Sequence, residues 1–216
     1  MYSGSAKKTK FGREAVQKEA VHKGRPREFD VEKALDKALH VFWQHGYEGA
    51  SLSDLTEAMG ISRPSLYAAF GNKEELFRRA LDRYAEKGPG AIQSEALAEP
   101  TSRKVVEHLL HSVVLSLTDP CNPAGCLAVQ GALTCSSAAE SIKQELCKRR
   151  SEAEENLRCR FEKAKAEGDL GADSDPAALA RYVSTVTQGM SVQASGGASR
   201  NELLAVAEMA LKAWPA

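Results

Sequence analysis

The sequence has no long apolar run. Its longest clear one, at residues 113–115 with its neighbours, is far shorter than the roughly 20 residues that a transmembrane helix needs. The first residues are basic but lack the apolar segment of a signal peptide. We therefore expect a soluble cytoplasmic protein that makes no use of a membrane.

The sequence also lacks the short motifs of several enzyme and metal-site classes. It contains no GxSxG, P-loop, HExxH or CxxC pattern, although it has five cysteines. His108 and His111 have the i, i+3 spacing of some metal ligands, but no carboxylate stands at the matching positions beside them. We therefore predict no catalytic residue, no metal and no cofactor. An α-helical enzyme is kept as the alternative of another class.

The sequence has no net charge, with 29 Lys and Arg against 29 Asp and Glu, but its charges are unevenly placed. Residues 1–27 carry eight Lys or Arg against two Glu, a net charge of +6. We interpret residues 1–23 as a basic arm that is attracted to a polyanion. Charge alone equally fits a solvated tail that only keeps the protein soluble.

Alternation at a period of two is scarce, whereas helical spacing of apolar residues recurs along the chain. The pattern predicts an all-α protein of roughly nine helices. Asp30 and Asn72 are predicted N-caps, and Gly46 is a predicted helix stop. Residues 88–100, "GPGAIQSEALAEP", read either as a break or as a helix interrupted by Gly-Pro-Gly.

The stretch "SLSDLTEAMGISRPSLYAAFGNKEELF", residues 51–77, contains two short helical patterns separated by Gly60. Ser62 is placed to cap the second helix, and Pro64 is tolerated there because N–H groups of a first turn have no intrahelical partner. Leu66 and Phe70 then face inward. The pattern indicates a helix-turn-helix, in which a bracing helix supports a second helix that reads the DNA major groove. An ordinary helical hairpin is the alternative.

Residues 24–87 resemble the DNA-binding domain of the TetR family of bacterial transcriptional regulators. The resemblance rests on "GRPREFD", "VFWQHGYEGASLSDLTEAMGIS" and "SLYAAFGNKEELF" in the family's order. It implies an N-terminal three-helix helix-turn-helix domain at 24–87 after the arm, and an effector-binding and dimerisation domain at 88–216.

The resemblance implies that the protein binds double-stranded operator DNA. Arg63 and Ser65 would reach base edges, Ser51 and Lys73 would bind phosphate, and Tyr67 would contact the backbone or a thymine methyl. Core packing is the alternative for Tyr67. The predicted DNA-binding residues are Arg25, Arg27, Ser51, Arg63, Pro64, Ser65, Tyr67 and Lys73.

The last two helical patterns resemble the C-terminal domain of many family members, which implies a homodimer joined by a four-helix bundle. Each pattern carries an apolar stripe, and a helix pair inside one monomer's core is the alternative. The predicted interface residues are Leu179, Tyr182, Val183, Val186, Met190, Leu203, Leu204, Ala207, Leu211 and Trp214.

The resemblance also implies a pocket for a small-molecule effector between residues 101 and 190. Its predicted lining is apolar with few charges, which favours a neutral or hydrophobic ligand. The predicted pocket residues are Leu109, Val113, Leu117, Cys126, Gln130, Leu133, Leu157, Phe161, Tyr182, Thr187 and Met190, each of which could instead be plain core.

Cys126 offers a second hypothesis for the switch. It follows a Pro-Ala-Gly turn at a predicted helix N-terminus, where the helix dipole favours a reactive thiolate. Cys121 is close enough in sequence to form a disulfide with an oxidised Cys126. The sequence thus permits a regulator that is switched by oxidants or electrophiles, with core packing of the thiol as the alternative.

Overall fold

The computed structural model describes Met1 and residues 29–134 and 139–215, with the side chains of 132–134 excepted. These ranges contain ten α-helices and no strand, which confirms the predicted all-α class. The basic arm after Met1 lies outside the described residues, and so do Arg25 and Arg27. The helices are α1 Val31–Gly49, α2 Leu52–Met59, α3 Arg63–Phe70, α4 Lys73–Lys87, α5 Pro89–Leu97, α6 Ser102–Leu117, α7 Leu127–Thr134, α8 Glu140–Ala166, α9 Pro176–Ser195 and α10 Arg200–Lys212.

Local signals in the sequence set most of the helix ends. The Asp30 carboxylate accepts hydrogen bonds from the N–H groups of Glu32 and Lys33, at 3.0 and 3.2 Å, and so caps α1. The stop predicted at Gly46 is a kink, because Gly46 leaves helical geometry with φ 71° while the chain winds on to Gly49. At residues 88–100 the structure has a helix, since a proline is tolerated at the first position of α5.

Helices α1 to α4 share one hydrophobic cluster, which we call the N-terminal cluster. Phe42 of α1 meets Phe77 of α4 edge to face, with ring centroids 4.9 Å apart. The cluster also takes in buried residues of α7 and α8, so the predicted boundary after residue 87 is the end of α4 but not of this core. Its members beyond residue 100 are Leu127, Ala139, Ile142 and Leu146.

A second cluster, the C-terminal cluster, joins α5 and α6 to α9, α10 and the second half of α8. Phe161 of α8 packs on Trp214, with ring centroids 5.1 Å apart. Cys126, just before α7, packs against both clusters. None of the helices in the described ranges is both long and apolar enough to cross a membrane.

Ion pairs fasten α1 to α4 at the surface. The Arg83 guanidinium donates to Asp36 at 2.8 and 3.2 Å and to Glu32 at 2.6 Å. Lys87 lies 3.2 Å from the same Asp36 carboxylate. The Arg83 hydrogen bonds are the main cause of a lowered pKa at Asp36.

Replacing Asp36 with asparagine is expected to lower the free energy of unfolding at pH 7 by roughly 0.2–1 kcal/mol, the range of exposed ion pairs. Because folding lowers the pKa of Asp36, its contribution is complete above the usual aspartate value of about 3.9 and is lost as the pH falls toward the folded value. In urea unfolding, the difference from wild type should be complete at pH 7 and should shrink progressively as the pH is lowered below 4. Asp173→Asn, at an exposed position away from this pair, is the control.

Candidate nucleic-acid interface and ligand cavity

Helix α2 begins with a reciprocal cap. The Ser51 hydroxyl accepts from the Asp54 N–H at 3.1 Å, and the Asp54 carboxylate accepts from the Ser51 N–H at 2.9 Å. Gly60 ends the helix in left-handed geometry, with φ 69° and ψ 34°, which a side chain at that position would disfavour. The cap thus sets where α2 begins, and the glycine turn sets where it ends before α3.

Helix α3 has the inward and outward faces that the sequence predicts for a reading helix. Ser62 caps it by accepting from the Ser65 N–H at 3.3 Å, and Pro64 lies exposed in the first turn. Leu66 and Phe70 are buried in the N-terminal cluster, whereas Tyr67 is 49% exposed. The packing alternative for Tyr67 is therefore not supported.

The Arg63 side chain is held across the two helices. Its Nη2 donates to Ser53 Oγ at 2.8 Å, while the guanidinium stays exposed. Ser53 was not among the predicted site residues, because ten positions separate it from Arg63 and no local pattern connects them.

Lys73 stands at the N-terminus of α4, which Asn72 caps by accepting from Glu75 N–H at 2.9 Å. Its ammonium lies 4.6 Å from the centre of the Tyr47 ring. Burial lowers the pKa of Lys73, and the nearby carboxylates of Glu48 and Asp54 oppose that shift. Tyr47, another residue that the sequence analysis missed, thus sets where this charge is presented.

A cavity of about 370 Å³ lies between α4, α5, α6, α7, α8 and α9. Its size falls in the range of small-molecule sites. Six predicted pocket residues line it, namely Leu109, Val113, Leu117, Cys126, Leu157 and Thr187.

The other predicted pocket residues do not line the cavity. Gln130 donates to the Ser195 hydroxyl outside it, and Phe161 is turned toward Trp214. Met190 is buried in the C-terminal cluster, Tyr182 faces outward, and the side chain of Leu133 lies outside the described residues.

The polar part of the lining comes mostly from α8 and α9 and, apart from Thr187, was missed from the sequence. On α8 the contributors recur at helical spacing, which could have indicated a shared face. The polar lining residues include Gln93, Arg149, Arg150, Glu152, Asn156, Ser184, Gln188 and Ser191.

An aromatic pair connects the cavity wall to α1 and α4. Burial raises the pKa of Tyr84 of α4 well above its usual value, and its hydroxyl lies beside the Cys126 thiol. Trp43 of α1 meets the Tyr84 ring edge to face at 4.7 Å, and its indole N–H donates to the Gly125 carbonyl at 3.0 Å. The Cys126 N–H in turn donates to Ser191 Oγ of α9 at 2.8 Å. One contact network therefore joins the cavity wall to α1 and α4.

The described thiols and histidines form no metal site. Among the described residues no group of three or more His, Cys, Asp or Glu side chains is placed to hold a metal. In the fold, each of the two histidines contacts a carboxylate from another part of the chain. His108 pairs with Glu99 at 2.9 Å and His111 with Glu208 at 2.8 Å, so each is occupied separately. Cys121 and Cys126 are both free thiols.

Helices α9 and α10 carry two kinds of apolar position. Six of the ten predicted interface side chains are buried inside the protomer, which leaves them almost no surface for a partner; these are Val183, Met190, Leu203, Ala207, Leu211 and Trp214. Leu179, Val186 and Leu204 are partly buried. The exposed apolar residues of these helices are Tyr182, Val192, Val206 and Met209, of which Met209 is 70% exposed.

Comparison with known proteins gives close relatives. The family model described as bacterial regulatory proteins, tetR family, matches residues 34–80. The HTH-type transcriptional repressor ComR of Escherichia coli (strain K12) is 37% identical over 194 residues, which are 89% of this chain and 92% of ComR. The HTH-type transcriptional repressor BdcR of the same strain is 30% identical over 190 residues, covering 87% and 90% of the two chains.

A solved structure is also similar along nearly the whole chain. It is a cysteine mutant of the TetR family transcriptional regulator CifR, complexed with 26-base-pair double-strand operator DNA. The sequences are 47% identical, the TM-score is 0.85, and the match covers 88% of this chain and 100% of that one. The similarity therefore extends from the DNA-binding helices through the helices around the cavity.

Proposed function

This chain belongs to the TetR family of bacterial regulatory proteins, and from that premise we propose a repressor that a small molecule in the cavity releases from palindromic operator DNA. As a family member it is a DNA-binding transcriptional regulator and not an enzyme. The observation that best supports this proposal is the position of Tyr84. It lines the cavity and belongs to α4, the helix that begins at Lys73, so one helix connects the cavity to a proposed DNA contact. Its site of action is the nucleoid, within the cytoplasm.

The DNA contacts that we propose follow from exposure and position. Arg63, held by Ser53, reads a guanine edge, and Ser65 and Tyr67 lie on the same short helix. Pro64 keeps the first turn of that helix in shape, without a base contact. Ser51 and Lys73 bind phosphate through groups at the starts of α2 and α4. Arg25 and Arg27 are proposed for flanking phosphates or the minor groove.

Replacing Lys73 with alanine is expected to weaken binding to all DNA sequences alike, because a phosphate contact carries no sequence information. The slope of log affinity against log salt concentration should fall in magnitude by about 1. Anisotropy titrations of an operator duplex and a scrambled duplex at several salt concentrations measure both effects. Lys143→Ala, an exposed lysine of α8, should leave the slope unchanged. A loss confined to the operator duplex would make Lys73 a base contact.

We propose that two copies associate through the exposed faces of α9 and α10, as the homodimer is typical of the family. Small residues favour close approach of the helices, and a Cβ added at Gly189 would meet nothing within 4 Å of the same protomer. Tyr182, Val192, Val206 and Met209 supply the apolar surface, with partly buried Leu179, Val186 and Leu204 beside them. Burying such surface stabilises the pair.

Replacing Met209 with glutamate is expected to raise the dissociation constant of the dimer at least about tenfold, because a charge would have to be desolvated in an apolar interface. Sedimentation equilibrium measures that constant. Leu115→Glu changes another exposed apolar residue, on α6 and outside the proposed interface, and should leave association intact. If both variants behaved like wild type, the interface would lie elsewhere.

A second mode of release rests on Cys126, since its thiol lines the cavity and adjoins Tyr84. Diamide removes two electrons and two protons from two thiols and leaves a disulfide, here between Cys126 and exposed Cys121. Release of reduced protein from DNA by diamide, recovery with dithiothreitol, and loss of both responses in Cys126→Ser would support this mode. DNA binding that is indifferent to diamide would assign the cysteine to packing.

A further inference from the structure

The lining of the cavity is divided between an apolar side and a cationic side. Leu81, Leu109 and Val113 of α4 and α6 belong to the apolar side. Arg149 and Arg150, successive residues of α8, line the other side. A neutral apolar ligand, which the predicted lining favours, would leave this second side without a partner.

The two arginines differ in what neutralises them. Arg149 donates to Asp82 at 2.6 Å and to Glu145 at 2.8 Å, so two carboxylates hold its charge. Among the described residues, Arg150 makes one hydrogen bond, from Nη2 to the Cys147 sulfur at 3.3 Å, and forms no ion pair with a carboxylate. A thiol is a weak acceptor and carries no charge to offset a guanidinium.

The single acidic residue of the lining does not compensate Arg150 either. Glu152 is exposed and pairs with Lys148 on the same helix at 3.7 Å. The half-buried Arg150 therefore gives the cavity one positive charge that the described chain leaves unbalanced. A guanidinium presents its donors in a planar fork that matches a carboxylate, and partial burial strengthens the attraction.

We propose that the effector is an amphipathic organic anion, an apolar molecule with one carboxylate or equivalent acidic head. The head binds Arg150, and the apolar body lies against Leu109, Val113 and Leu157, toward Tyr84. The inference rests on the proposed role of the cavity as effector site and specifies the chemistry of its ligand.

Two dyes with the same apolar rings test the charge requirement. 8-Anilinonaphthalene-1-sulfonate carries an acidic group that N-phenyl-1-naphthylamine lacks, and both fluoresce more strongly in apolar surroundings. In Arg150→Gln the dissociation constant of the anionic dye should rise about tenfold or more, whereas that of the neutral dye should change less than about twofold. Arg158→Gln, also on α8 but outside the cavity lining, should bind both dyes as wild type does.

A cavity-filling variant, Val113→Trp, separates failure of this inference from failure of the proposed function. Both dyes should lose affinity in that variant if they occupy the cavity. If they do, and Arg150→Gln affects both dyes equally or neither, the anion requirement is wrong while the cavity remains a ligand site. If Val113→Trp changes neither dye, or neither dye binds, the cavity is not a ligand site and both proposals fail.

Discussion

Replacing Arg63 with alanine is expected to weaken operator binding by about 1–3 kcal/mol and to relax the sequence preference at one position of each half-site. Arg63 is exposed at the start of α3, and its hydrogen bond to Ser53 fixes the direction of the guanidinium before DNA arrives. Alanine removes the paired donors that recognise a guanine edge. Non-specific affinity should be nearly unchanged, because it depends on phosphate contacts elsewhere.

Anisotropy titrations with an operator duplex and with its scrambled sequence measure the specific and the non-specific affinity separately. Ser53→Ala keeps the arginine but removes the hydroxyl that holds it. It should therefore weaken operator binding less than Arg63→Ala does, with its effect at the same base position. Arg158→Ala, an arginine far from this surface on α8, serves as the control. An equal loss on both duplexes would make Arg63 a phosphate contact.

Replacing Leu146 with alanine is expected to lower the free energy of unfolding by about 2–5 kcal/mol, the range for truncating a fully buried leucine. Leu146 is on α8, yet it belongs to the same buried cluster as Phe42 and Phe77 of the DNA-binding helices. The cavity left by the change should therefore destabilise those helices as well. A fragment that ends at α4 would lose this support.

Urea unfolding followed by Trp43 fluorescence measures the effect inside the N-terminal cluster, with Trp214 replaced by phenylalanine in every protein compared. Leu115→Ala, at a leucine that is 51% exposed, should change stability by no more than about 0.5 kcal/mol. A Trp43 transition that Leu146→Ala does not shift would mean that the DNA-binding helices are stable alone, as the predicted boundary after residue 87 implies.

The parts of the fold that the sequence predicts are those set by neighbouring residues. Asp30, Ser62 and Asn72 cap helices within three residues of the N–H groups they accept from, and Gly60 supplies a left-handed turn at one position. The inward Leu66 and outward Arg63 follow from helical periodicity. Such features require no knowledge of the rest of the molecule.

Contacts between distant segments could not be predicted in this way. The hydrogen bond from Trp43 to Gly125 spans 82 positions, and only the fold brings Tyr84 to Cys126. An apolar stripe shows that a helix face is covered but not by what, which is why Met190 and Leu203 were assigned to the dimer and lie in the protomer core. Charged residues on a long helix such as α8 usually indicate a solvated face, so Arg150 gave no sign of lining a cavity.

The central claim is that this protein reads a palindromic operator with two copies of α3. It is tested most directly by titrating the protein onto a labelled duplex from upstream of its own gene, with excess unlabelled random DNA present. The account predicts saturation at two protomers, or a multiple of two, per palindrome, and loss of binding when one half-site is scrambled. Equal affinity for the operator and a fully scrambled duplex would contradict it.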